Sequence, residues 1–210
     1  MIIIKDLVIY NELKNKIIIH IDQLCIPTNS ILILKADSGK GKSIFLKTLA
    51  NQYPYFAGNI LLDNHIFESY SEKVFFNTLQ LISQSYPLFL NMTVFQQLFN
   101  VLLHIKNEEQ FIIKDKIKNI LTKLNLWDQK DKYPHQLSGG QRQRIAIIQK
   151  ILLKPKYFLL DEPTSGLDKT SKFEILHFLL EENKKGMTLI IASHDHETIH
   201  FFENKIIYSF

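Results

Sequence analysis

The chain has 210 residues, 46% of them hydrophobic, enough for one sizeable core with a small subdomain. Its 25 Lys and Arg against 21 Asp and Glu leave a net charge of +4, too weak to argue for nucleic acid, and no apolar run approaches the length that crosses a bilayer. The single cysteine, Cys25, excludes an internal disulfide, fits a reducing cytoplasm and is read as a core residue. The opening Met1-Ile2-Ile3-Ile4-Lys5-Asp6 is too short and too soon charged for a signal peptide, so a soluble chain is expected unless a partner holds it at a membrane.

In chain order, β-branched runs at residues 1–4, 7–10 and 17–21 predict short strands separated by polar turns. Pro27-Thr28-Asn29-Ser30 reads as a turn, and the apolar run 31–34 as a buried strand. After it come the loop Ala36-Asp37-Ser38-Gly39-Lys40-Gly41-Lys42-Ser43 and a helix from Ile44 to about residue 50. A second turn is expected over 54–59, then strands at 59–62 and 79–82. From 91 to about 154 the pattern turns helical, with Ile113, Ile117, Ile120, Leu121 and Leu124 on one face. Another helix follows Ser138-Gly139-Gly140, and Ile145, Ile147, Ile148 and Ile151 give it a wide apolar face. Strands at 157–160, 187–192 and 205–208 alternate with a helix over 169–183. Such alternation implies a parallel sheet, interrupted by a helical subdomain at residues 91–150 within one domain, 1–210. The lysines at 114, 116, 118, 123, 130 and 132 are read as a solvated helical face.

Three segments carry chemistry. In the first loop, glycines let the backbone curl with its N–H groups inward, and the helix start adds donors and partial positive charge. Strand, glycine-bearing loop and helix make a phosphate cradle, in which Lys42 lies along the outer phosphates and the Ser43 hydroxyl ligates Mg²⁺. Ala36 stands where the pattern begins with Gly, and is tolerable only with a negative φ. Lys40 is also unusual, since a small residue is commoner there; it adds charge near the phosphates or points to solvent. The second segment, Tyr157-Phe158-Leu159-Leu160-Asp161-Glu162-Pro163, is an apolar strand ending in two acids, expected beside the loop strand. Asp161 would hold magnesium and Glu162 would act as general base on water. The third, Leu137-Ser138-Gly139-Gly140-Gln141, opens a helix and reads as a second anion site; a plain Ser N-cap is the competing reading.

With Gln84, Ser165-Gly166-Leu167-Asp168 and Ser193-His194-Asp195 in the same order, the whole chain resembles the ATP-binding cassette (ABC) ATPases. The resemblance implies an α/β fold: a P-loop NTPase core with a parallel sheet, N-terminal antiparallel β strands and an inserted α-helical subdomain. It implies ATP and Mg²⁺ as ligands, and two cassettes, identical or different, stacked head to tail around two nucleotides. Residues 36–43 and Ile44 at the head of the helix would bind nucleotide, as would Gly139, and Ser138, Gly140 and Gln141 would meet the γ-phosphate bound by the other subunit. Gln84 would touch magnesium and the attacking water, His194 would hold γ-phosphate, water and Glu162 in line, and Asp168 would bridge the subunits; a helix N-cap competes for Asp168. Adenine would stack on an aromatic residue of an N-terminal strand, where Tyr10 is the candidate although spacing points nearer Leu13. A metal at His196 and His200 is disfavoured, since they fit a surface helix with no completing ligand cluster.

The function expected is therefore an ATPase subunit of a membrane transporter, peripheral on the cytoplasmic face, with its membrane spans on separate permease chains and no nucleic acid. Residues 89–103, rich in Phe and Leu, are the expected docking place for those chains, against core packing as the alternative. The short tail after His194 points to a minimal cassette without a regulatory domain. A soluble relative, such as one serving iron–sulfur assembly, and a slow nucleotide switch are the other readings.

Overall fold

In the computed structural model, which describes all residues except 38, 84–86, 106–108 and 210 and the side chains of 68, 104 and 105, the β-branched start forms two long strands. β1 (Ile2–Tyr10) and β2 (Ile17–Ile26) pair antiparallel, Ile2 opposite Ile26 and Ile9 opposite Ile19. The two short runs expected at 1–4 and 7–10 are one strand, broken in phase rather than in pairing. Burial passes from Ile2 and Ile4 to Leu7 and Ile9, and Asp6 between them takes a left-handed φ of 50°. The ladder to the next strand shifts register at the same place, as a β-bulge does. β2 makes the matching change, from Ile21 to Leu24. Cys25 then falls between inward Leu24 and Ile26 and is exposed, not in the core.

β4 (Phe56–Leu62) begins where a turn was expected, and with β5 (His65–Ile66) completes a sheet ordered β2-β1-β4-β5. The second sheet is parallel: β3 (Ile31–Lys35), β6 (Leu79–Ile82), β7 (Tyr157–Asp161), β8 (Thr188–Ala192) and β9 (Lys205–Ser209), ordered β6-β7-β8-β3-β9. β7 and β8 are buried along their whole length, as continuous apolar strands covered on both faces are. The acidic strand β7 is not beside β3; β8 lies between them, because an apolar run does not encode its neighbour. α1 (Lys42–Leu49) packs on β7 and β8 and buries Phe45, Leu46 and Leu49. One apolar cluster joins α1 to both sheets, including Ile4, Leu7, Leu62, Leu159 and Ile190. α2 (Glu72–Thr78) buries none of its residues, which is why no apolar period announced it.

These elements belong to the first of two compact units, Met1–Ser83, Pro155–Pro163 and Leu179–Phe210. The second, Gln84–Lys154 and Thr164–Phe178, holds α3 (Val94–Ile105), α4 (Gln110–Lys123), α5 (Gly139–Ile151) and the start of α6 (Lys169–Lys184). α3 buries Val94, Leu98 and Leu102; α4 buries Ile113, Ile117 and Leu121 on its apolar stripe. α5 is apolar on several sides, and its Arg144 is buried in an ion pair with Glu174 of α6 at 2.9 Å. Arg144 also donates to the Leu124 carbonyl and Asn125 to Glu174, so the pair is hydrogen-bonded beyond its own contact. Of the lysine group, Lys118 and Lys130 lie over the Trp127 ring and Lys123 over Phe178, so these three cover aromatic surface.

At the end of β4, Asp63 accepts from Lys156 at 2.7 Å, from Tyr157 at 2.6 Å and from the Met1 ammonium at 2.7 Å. Partial burial alone would raise its pKa, but the bonds from Lys156, the ammonium and Tyr157 outweigh that and hold it at about 2, below the ordinary 3.8. A depressed carboxylate stabilises the fold above its ordinary pKa and loses that contribution as pH falls from about 4 to about 2. Asp63→Asn is expected to lower Tm at neutral pH and to flatten the acid limb of the stability profile in that window; circular dichroism melts at stepped pH check this.

Candidate active site

The parallel register sets the geometry of the site. Leu34 of β3, Ala192 of β8 and Asp161 of β7 lie in one row across the sheet. The segments that follow, the phosphate loop, Ser193-His194 and Asp161-Glu162, therefore leave the sheet at one level. With strands about 4.8 Å apart, β7 lies roughly 10 Å from β3, and β8 delivers His194 between them.

The loop after β3 ends at Gly41, which caps α1 with φ 92°. The positive φ favours glycine, and a Cβ there would also push on Ile19, 2.9 Å from its Cδ1. Gly41 has no side chain to cap the helix, and the first-turn N–H groups at Lys42, Ser43 and Ile44 stay outside the helical ladder, available to an anion. Gly39 also has a positive φ, of 81°, whereas Ala36 does not, so the alanine meets the condition its position imposes. Lys42 is buried, and its ammonium donates to the carbonyls of Ala36 and Asp37. Ser38 and Gln84 lie outside the described residues.

Asp161 closes β7 at 4% exposure, and its Oδ1 has no hydrogen-bond partner among the described residues. A buried, unsatisfied carboxylate oxygen is costly, and a divalent cation removes that cost. This donor set, with the Ser43 hydroxyl at the head of α1, fits Mg²⁺. Glu162 follows with φ 51°, an uncommon conformation for a non-glycine residue. Its N–H donates to the Ala192 carbonyl at 2.9 Å, and its Oε1 lies 2.6 Å from His194 Nδ1. An ionised carboxylate only accepts, so Nδ1 carries the proton in this pair. Ser193 Oγ donates to Oε2 at 3.4 Å. His196 and His200 lie on the short helix α7 (His196–Phe201), and no group of three metal-ligating residues occurs among the described residues. Tyr10 ends β1 with its carbonyl accepting from Tyr53 at 2.8 Å; Leu13, beyond it, is 79% exposed.

In the second unit, Ser138 caps α5 and forms a capping box with Gln141: Gln141 N donates to Ser138 Oγ at 3.2 Å, and Ser138 N to Gln141 Oε1 at 3.0 Å. The Ser138 N–H is thus turned to Gln141 rather than outward, while the Gly140 N–H stays outside the ladder. A Cβ on Gly140 would come within 2.8 Å of Leu167 Cδ2, whereas on Gly139 it would meet nothing closer than 3.9 Å. The segment before α6 is therefore packed onto the head of α5, a neighbour that sequence spacing does not reveal. Asp168 is exposed and accepts from Ser171 N at 2.9 Å; that bond holds its carboxyl below the usual range and makes it a helix cap.

A parallel sheet with a glycine loop feeding α1, acids at the end of β7 and a histidine at the end of β8 defines a phosphate-loop NTPase. The ABC transporter family profile matches residues 19–165. The chain belongs to the ABC transporter family and is an ATPase of that family. It is 35% identical over 185 residues to a putative ABC transporter ATP-binding protein of Caldanaerobacter subterraneus, covering 84% of this chain and 74% of that one. It is 31% identical over 177 residues to the arginine transport ATP-binding protein ArtM of Bacillus subtilis, covering 81% and 72%. Among solved structures, cbiO1 of Clostridium perfringens, part of the ABC transporter complex cbiONQ, aligns with a TM-score of 0.83, 27% identity and coverage of 99% and 83%. A dimeric ATP-binding cassette bound to ADP and Pi aligns with a TM-score of 0.85, covering 99% and 94%; at 22% identity it shows the fold.

Gly140→Ala is expected to lower Tm slightly relative to Gly139→Ala, because the half-buried Leu167 side chain must turn aside for the new methyl, with Leu167→Ala removing that difference in the Gly140→Ala background. Thermal denaturation of the four proteins checks this.

Proposed function

We propose that this chain is the ATP-hydrolysing subunit of an ABC transporter, working as a pair of cassettes on separate membrane chains. The observation that carries the hydrolytic part is the Glu162–His194 pair, at 2.6 Å, on the same edge of the sheet as the phosphate loop. Bound Mg²⁺, held by Asp161 and Ser43 with Gln84, would neutralise phosphate charge and polarise the phosphoryl group. Glu162 takes a proton from water, His194 orients that carboxylate and meets the γ-phosphate, and the N–H groups of residues 39–44 with Lys42 hold the outer phosphates. Ser138, Gly139, Gly140 and Gln141 of one cassette close over the nucleotide of the other, with Asp168 at the seam and Tyr10 against adenine. Engaging Ser138 and Gln141 with a phosphate exchanges their capping-box bonds for charge-assisted ones.

Relatives named as transport ATP-binding proteins support the transport half. No described helix is long and apolar enough to cross a membrane, which agrees with spans on other chains. The stretch 89–103 divides between its two readings: Val94, Leu98 and Leu102 are core, while Phe89 at 58% and Leu90 at 73% exposure offer apolar surface to a membrane partner at the cytoplasmic face.

Glu162→Gln is expected to cut ATP turnover at least about 100-fold, as loss of a general base does, while ATP binding persists. With ATP and Mg²⁺ it should sediment as a dimer in analytical ultracentrifugation. Unchanged turnover overturns the base, and a monomer at saturating ATP overturns the paired cassette.

A further inference from the structure

Beside the phosphate loop the first unit has an open cleft of about 310 Å³ lined by Lys35, Asp37, Lys40, His194 and His196, among others. Its lining holds two lysines and two histidines against one carboxylate, so it favours an anion. The two lysines of the loop sit differently. Lys42 is 7% exposed, with its ammonium on the Ala36 and Asp37 carbonyls. Lys40 is exposed, and its ammonium has no hydrogen bond or ion pair among the described residues. Across the same cleft stands His194, whose Nδ1 is committed to Glu162, leaving its other ring edge for a ligand.

We propose that Lys40 is a second phosphate-contacting lysine that reads the terminal phosphate and so sets this cassette's preference for a nucleoside triphosphate over a diphosphate. The inference rests on the nucleotide reading of the loop made above. Placement supports it: Lys40 lines the same cleft as His194, the residue that on the nucleotide reading meets the last phosphate. Charge adds the selectivity, because a triphosphate brings one more charged group to that side than a diphosphate, and an ammonium at contact distance favours it even with solvent screening. The residue usual at this position is small and has no charge to offer. Lys42 then holds the loop as well as the ligand, and Lys40 discriminates.

The test measures equilibrium binding of ATP and of ADP to the full chain by calorimetry, in EDTA and again with Mg²⁺, for the parent, Lys40→Ser, Lys40→Gln and Lys40→Arg. Lys40→Ser and Lys40→Gln are expected to weaken ATP about fivefold and ADP less than twofold, and Lys40→Arg to stay within twofold of the parent for both. The difference should shrink as salt is raised. Equal losses for ATP and ADP, or no loss in either neutral variant, overturn the proposal while leaving the nucleotide site intact. A parent chain that binds neither nucleotide overturns the proposal together with the reading beneath it. Melting curves confirm that each variant is folded, and two neutral replacements guard against one that is not.

Discussion

The register of three parallel strands is the constraint on which the site depends. Leu34, Ala192 and Asp161 share one row, so a loop of glycines, a histidine and two carboxylates emerge together from a single edge. Each strand is five residues long and buried over most or all of its length. A slip of one residue in such a strand would turn every side chain to the opposite face. The level at which these segments leave the sheet is therefore set by the same apolar contacts that hold the strands in register.

The polar groups at that edge are held in unequal states of satisfaction. Glu162, itself left-handed, is held by the Ala192 carbonyl at its N–H and by Ser193 and His194 at its carboxylate. Asp161, next to it, has one buried oxygen with no partner among the described residues. Strain and unpaired polarity of this kind persist where the surrounding fold over-determines them, and they gather at working sites. In the second unit, α5 is capped by its own Ser138 and Gln141, and the buried Arg144 pairs with Glu174 through one guanidinium nitrogen while its Nε has no partner among the described residues.

Much of this was legible from residues alone, where the signal is local. The phosphate loop, the apolar strands, the stripe of Ile113, Ile117 and Leu121, and the glycine-led helix at 139 each carry their own pattern. What escaped the sequence is non-local or out of phase. Nothing within β3 or β7 says that β8 separates them. The bulge at Asp6 resets the alternation of β1 and β2, which splits one strand into two apparent runs and sends Cys25 to the surface. Helix α2 has no fully buried residue and sets only Phe75 against the core, so no period betrays it. The packing of Leu167 on Gly140 joins segments far apart in the chain, and no local pattern encodes it.

The lodging of Lys42 has a consequence for how the resting loop behaves. Its ammonium bridges the carbonyls of Ala36 and Asp37, so the side chain braces the start of its own loop. Deleting this lysine therefore removes the tie between its side chain and those two carbonyls as well as a cation, so a fall in turnover would not by itself tell the two effects apart.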